Sequence, residues 1–298
     1  MQLAKLGAWC FLDALSAKDA ADAARRIEEL GYGTLWIPEA VGREVFASAA
    51  WLLSATSRLV IASGIANIYA RDAMTMTAGA KTLAEQSGGR FLLGIGVSHQ
   101  PLVQGLRGHA WDRPYSYMRE YLDAMDRSPY ASVPPAEEVP VVIGALHPKM
   151  LAMAAQRTRG VHPYLVPPEH TSSTRALIGP DAWICTEQKV LLETNPTAAR
   201  SVARQSLAMY LTLPNYRRNI QRFGFTDEDF ENMGSDRLVD ALVAWGDEKA
   251  IASRIKAHLD AGANQVCIQP LHPQGLPLPD WRVLEAFAPA GSGQTAKA

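Results

Sequence analysis

The chain has 298 residues, a formal net charge of −1, 48% hydrophobic residues and 20% charged ones. This is the composition of an ordinary globular protein, long enough for one large α/β domain or two small ones. The near-balanced charge points neither to nucleic acid nor to an anionic membrane surface as partner, and no apolar run approaches the roughly 18 residues of a membrane span.

The first apolar run, LGAWC (6–10), reads as a strand. Charge soon follows Cys10, Phe11 and Leu12, so no signal peptide is read there. In AADAARRIEELGYGTLWIPE, Ala20, Ala23, Ala24, Ile27 and Leu30 recur at helical spacing, with Arg25, Arg26, Glu28 and Glu29 on the opposite side. Gly31 stops that helix, and TLWIP (34–38) follows as a buried strand. RLVIAS (58–63) is the third strand, and AGAKTLAEQSGGRFLLGIG repeats the pattern to give the fourth, RFLLGIG (90–96). VPVVIG (139–144), VHPYLV (161–166) and QKVLLE (188–193) come next. The last unit has Asp247 as N-cap, Ile251, Ile255 and Leu259 as stripe, Gly262 as stop and NQVCIQ (264–269) as strand.

Helix, glycine, short apolar strand is the αβ half of a βαβ repeat, which builds a parallel sheet with helices outside. Eight strands over about 250 residues match a (β/α)8 TIM barrel, with a doubly wound open sheet as the competitor. We read residues 1–290 as a single domain and the small, polar GSGQTAKA (291–298) as a disordered tail. Residues 210–236 interpose extra helix and loop between strands seven and eight, as a cap, an oligomer surface or a solvated insertion. Three scattered cysteines without a CxxC pair suit a reducing cytoplasm, the expected location.

In a parallel barrel the catalytic groups sit at the carboxyl ends of the strands. Glu39, just after strand two, either touches a ligand or caps a loop. After strand three, SGIANIYARD (63–72) places Gly64, Ala66 and Asn67 where an apolar strand would continue, suggesting a bulge beneath a ligand. Gly94 and Gly96 leave one face of strand four nearly bare, so another backbone or a ligand comes close there. His99 then stands at the exit, where it either handles a proton or is structural. The run is not a Rossmann fingerprint, because His99 holds the third glycine's place. After strand five, Gly144 and Ala145 lead into a helix with Pro148 in its first turn, either a plain helix start or an anion site. The dispersed histidines and the lack of HExxH leave no metal site to propose, and neither a Walker A loop nor a nucleophile elbow is present.

Taken together, ELGYGTLWIPE, LVIASGIANIYARDAM, SGGRFLLGIGVSH, PVVIGALHPKML and LDAGANQVCIQPL resemble the luciferase-like monooxygenase superfamily over about residues 5–285. The resemblance is closest to the branch that uses the deazaflavin coenzyme F420. It implies a barrel with an insertion region, assembled as a homodimer, with a flavin-like ring in its mouth. The implied cofactor contacts are Ser63, a cis Gly64-Ile65 peptide, Ala66, Asn67, Gly96 and Ser98, with the phosphate near Gly144 and Ala145. Related sugar-phosphate dehydrogenases carry a histidine base where this chain has Ala40, so that oxidation is not implied. His99 and Glu39 remain the catalytic candidates for proton transfer. The expected function is hydride transfer between coenzyme F420 and a small organic substrate, since a deazaflavin reacts poorly with oxygen. The alternatives are an FMN-dependent monooxygenase using reduced flavin and oxygen, and a non-catalytic cofactor-binding relative. Trp9, Trp36, Tyr69 and Trp111 line either a pocket or the core.

Overall fold

A computed structural model describes residues 1–289; the expected tail at 291–298 lies outside the described residues. In chain order the barrel begins with β1 (Leu6–Trp9), α1 (Ala17–Glu29), β2 (Thr34–Ile37), α2 (Val45–Ala55) and β3 (Val60–Ser63). A two-residue β4 (Ala66–Asn67), α3 (Ala73–Gln86), β5 (Phe91–Gly96), a π-helix (Pro101–Leu106) and α4 (Pro114–Asp126) follow. Then come β6 (Val141–Ile143), α5 (Pro148–Arg157), β7 (Gly160–Val161), α6 (Pro168–Ile178) and β8 (Trp183–Leu192). The insertion comprises α7 (Pro196–Leu211), α8 (Pro214–Gln221), a 3-10 helix (Asp227–Met233), α9 (Asp236–Leu242) and β9 (Val243–Gly246). The chain returns through α10 (Glu248–Asp260), β10 (Gln265–Pro270) and α11 (Trp281–Ala286).

The strands pair in the order β10-β1-β2-β3-β5-β6-β7-β8, all parallel, and β8 pairs back onto β10. The sheet therefore closes into a (β/α)8 barrel, and the doubly wound alternative is not formed. β4 continues beyond β3 along β5, and β9 lies along the upper half of β8. The helix signals act as the sequence implies. Ser16, Asp72 and Asp247 accept backbone N–H bonds at their N-caps, and Gly31 and Gly262 take positive φ (87° and 101°) just past α1 and α10.

Three apolar layers hold the fold. The largest lies between strands and outer helices and includes Ile27, Leu52, Ile61, Phe91 and Ile255. A second, inside the barrel, stacks Trp9, Trp36, Leu92, Val142, Trp183 and Cys185. The third joins the insertion (Leu207, Ile220, Phe230, Leu238) to Leu191 of β8 and Val243 of β9. Burial of this surface stabilises by roughly 25 cal/mol per Å².

Several elements depart from the sequence reading. β4 and β9 were not foreseen, the strand expected at 161–166 is β7 at Gly160–Val161, and β8 begins at Trp183 instead of 188. The middle of β8, Thr186 to Lys189, is polar on both faces. Glu187 points inward, while Thr186 and Gln188 point outward to a Thr171–His258 pair (Thr171 Oγ1 to His258 Nδ1 2.9 Å, His258 Nε2 to Gln188 Oε1 3.0 Å). Alternation of apolar and polar residues is lost when both faces find polar partners.

Candidate active site

The peptide between Gly64 and Ile65 is cis, where the family resemblance placed it. The bulge it belongs to is fastened from three sides. Ser63, fully buried, donates its hydroxyl to Gly94 O (2.8 Å) and accepts Gly94 N–H (2.9 Å), so one side chain replaces a rung of the ladder. Ile68 N–H donates to Gly96 O (3.1 Å). The Glu39 carboxylate accepts Asn67 N–H (2.7 Å) and both terminal nitrogens of Arg71, one of them at 2.9 Å. Both side chains of that ion pair are over nine-tenths buried (5% and 8% exposed). Every oxygen of Glu39 is thus engaged in holding the bulge, and Arg71 also reaches Glu44 (2.6 Å).

The bare face of β5 has its explanation here. A Cβ on Gly94 would stand 2.0 Å from Ser63 O, and one on Gly96 would stand 2.7 Å from Ile65 Cδ1. The neighbour that comes close is the bulge itself, so the missing side chains seat protein and do not by themselves make room for a ring. Ile65 also lies over Gly144, whose N–H donates to Ile95 O (2.8 Å). Gly64, Ile65, Gly144, Ser98 and His99 keep partial exposure, while Ala66, Asn67 and Ala145 are buried. The structure thus brings Ser63 to Asn67, Gly96, Gly144 and Ala145 to one side of the mouth, with an Ile65 face in its middle.

Ser98 sits in the left-handed region (φ 55°) and turns the chain out of β5. His99 follows, with its ring 5.4 Å from that of Tyr216 on α8. Its Nδ1 is buried and has no partner among the described residues. Burial lowers its pKa below the ordinary histidine value, opposed by the Asn215 side chain, which leaves a neutral imidazole at neutral pH. Helix α5 starts at Pro148 without a side-chain cap on its N-terminal N–H groups, next to Ala145. The insertion leans on this rim. His147 Nε2 donates to Asn215 O (3.2 Å), and Arg222 donates to Leu146 O (3.3 Å).

Of the wall next to the bulge, only Trp9 and Trp36 were among the candidate pocket residues. Trp9 Nε1 and His162 Nε2 both lie beside Gly64, 2.8 and 3.2 Å from where a Cβ would be, and neither has a hydrogen-bond partner among the described residues. His162 stacks on Trp36 (centroids 4.2 Å, 4°) and donates Nδ1–H to Cys185 O (2.7 Å). Above it, Lys189 donates to Tyr164 Oη (2.6 Å) and Gln269 Oε1 (2.9 Å), with Glu187 Oε1 at 3.8 Å. The one usable sequence signal for this group was the charge inside QKVLLE, a buried strand. Among the described residues no cluster of histidine, cysteine or carboxylate could hold a metal, and no helix is long and apolar enough to cross a membrane.

The family model for luciferase-like monooxygenases matches residues 4–265. The chain belongs to that family. Among luciferase-like relatives, a Mycobacterium tuberculosis protein whose name provisionally assigns it to the coenzyme F420-dependent oxidoreductases is 24% identical over 280 residues, 80% of this chain and 79% of that one. The F420-dependent tetrahydromethanopterin reductase of Methanopyrus kandleri has a similar structure (TM-score 0.78, 17% identity, 97% of this chain and 98% of that chain). So does the oxygenating constituent of a Pseudomonas putida diketocamphane monooxygenase in complex with FMN (TM-score 0.72, 12% identity, 97% of each chain). These two likenesses show the shared fold.

Proposed function

We propose that this luciferase-like oxidoreductase moves a hydride between coenzyme F420 and a small organic substrate. The observation that carries the reading is Ile65, part-exposed at the mouth and seated against Gly96 and Gly144, an apolar support of the kind a planar heterocycle needs. The M. tuberculosis and M. kandleri relatives, both named for F420, favour the deazaflavin.

The residues fit such a group. Ile65 backs the ring, with Ser63, Gly64, Ala66 and Asn67 fixing that backing from behind and Gly96 giving it depth. Ser98 and His99 meet polar atoms at the ring's edge, and Gly144 and Ala145 lead the phosphate to the uncapped start of α5. When bound, the cofactor supplies the hydride chemistry. The chain binds and orients, and neutral His99 accepts or stabilises a proton through Nδ1. Glu39 acts as the brace of the bulge, through Arg71 and Asn67 N–H, in preference to proton transfer. We further take the protein to be a cytoplasmic homodimer acting on a small molecule, without nucleic acid.

The FMN-bound monooxygenase of the same fold keeps a second reading open, in which the ring is FMN and oxygen is the co-substrate. Titrating the purified protein with each cofactor decides between them. Quenching of F420 fluorescence with weak FMN binding is expected, and tight FMN binding without F420 binding reverses the choice. Sedimentation at several concentrations checks the dimer.

A further inference from the structure

We propose that Tyr210 is a catalytic residue of this site, holding the oxygen of a carbonyl or alcohol substrate as the terminal donor of a chain that starts at Lys189. The inference rests on the redox reading above for its reaction, though not for its oxygen site.

The chain is built from buried groups that a structural role does not require. Glu187 and Lys189 occupy successive inward positions of β8 and are each about 1% exposed. Replacing such a pair with well-packed apolar residues is often neutral or stabilising, so its retention calls for another use. Lys189 Nζ donates to two acceptors, Tyr164 Oη and Gln269 Oε1, and Glu187 Oε1, which has no hydrogen-bond partner among the described residues, stands 3.8 Å away as its counter-charge. Burial lowers the Lys189 pKa and raises that of Glu187, and each partner's charge opposes the shift.

Glu187 does a second thing. Its Oε2 accepts Leu165 N–H (3.0 Å), and Leu165 holds φ 58°, a conformation bulky residues rarely adopt. That contact fixes the residue next to Tyr164. The Tyr164 hydroxyl has one proton and two acceptors in reach, Gln269 Oε1 at 3.0 Å and Tyr210 Oη at 3.1 Å. With Tyr164 turned toward Tyr210, the Tyr210 proton has no acceptor among the described residues. Tyr210 is half-buried and packs on two rings that border the mouth. These are Tyr164, 5.3 Å from Tyr210, and Tyr216, 5.5 Å from it; Tyr164 lies against Trp9 and Tyr216 against His99.

A carbonyl oxygen at the mouth accepts that O–H. In the reducing direction, hydride from the reduced deazaflavin, which is thereby oxidised, adds to the carbonyl carbon and the C=O π pair moves to oxygen. The new alkoxide takes the Tyr210 proton, Tyr210 takes that of Tyr164, and Tyr164 takes one from Lys189, which is left a neutral amine until solvent restores it. Alcohol oxidation reverses each transfer.

The test uses cyclohexanone carrying ¹³C at the carbonyl, added to the protein without cofactor and read by infrared difference spectroscopy. A downshifted carbonyl band is expected in the unaltered protein and in Tyr216→Phe. In Tyr210→Phe the shift is lost and ketone binding weakens about tenfold, as for one lost hydrogen bond. Lys189→Met diminishes the shift, and the fold of each variant is checked by circular dichroism. An unshifted band in the unaltered protein, or the same shift in Tyr210→Phe, overturns the proposal. F420 fluorescence titration runs in parallel, and Tyr210→Phe keeps its F420 affinity. Failure of F420 to bind any of the proteins tells against the cofactor reading, while the ketone band still judges the oxygen site.

Discussion

The side chain of Ile65 occupies the space that Gly96 leaves open, its Cδ1 2.7 Å from where a Cβ on Gly96 would stand. Gly96→Ala therefore pushes Ile65 out of line. Overpacking of this kind costs about 1–3 kcal/mol. Urea unfolding should show that loss, and F420 titration should show weaker binding. Ile65→Ala removes both clashing carbons, Cδ1 at 2.7 Å and Cγ1 at 2.8 Å, so the double variant Gly96→Ala/Ile65→Ala should recover much of the lost stability. A double variant no better than Gly96→Ala alone would separate Ile65 from the effect.

Glu39 and Arg71 form a buried pair whose removal strands a charge. Glu39→Ala leaves Arg71 with the half-exposed Glu44 and leaves Asn67 N–H without its acceptor. Breaking a buried pair on one side costs about 3–5 kcal/mol. Stability and cofactor affinity should fall together. A stable, cofactor-binding Glu39→Gln variant that has lost turnover would instead make Glu39 a proton-transfer group.

Ser63→Ala deprives both main-chain groups of Gly94 of their partner. Leaving buried polar groups unsatisfied costs about 1–3 kcal/mol. The melting temperature should drop, and amide exchange at Gly94 should speed up more than at Leu92, which lies lower on the same strand.

Three buried histidines set the acid limit. Burial brings His162 and His170 down to about 4 and His258 down to about 3, against an ordinary 6.5. The unfolded chain protonates these rings below about pH 6.5 while the native protein does not, so stability is full above that pH and is lost as pH falls toward 4. The urea midpoint measured at pH 5 should lie below that at pH 7. An unchanged midpoint would mean that the rings are not held neutral.

The barrel was legible because each unit carries its own punctuation. Ala20, Ala23 and Ile27 mark a helix face, Gly31 ends it, and TLWI is buried at every position. The rim was legible in part, since glycines in a buried strand demand a close neighbour, although the neighbour proved to be Ile65 and Ser63. The far wall was not legible. Glu187 and Lys189 look like solvent-facing charges in a linear reading, and nothing local says that Tyr164 and Gln269 wait across the barrel for them. Tyr210 and Tyr216 belong to a segment whose place over the barrel is set by long-range packing against Leu191 and Val243.

The insertion reaches the mouth through α8, where Asn215, Tyr216 and Arg222 touch His147, His99 and Leu146. This wall has its own apolar core, which meets the barrel at Leu165 and at Leu191 of β8. It can therefore be exchanged as a cassette: grafting a different segment at 212–224 would retune which molecules are admitted while leaving the redox chassis of strands and bulge intact.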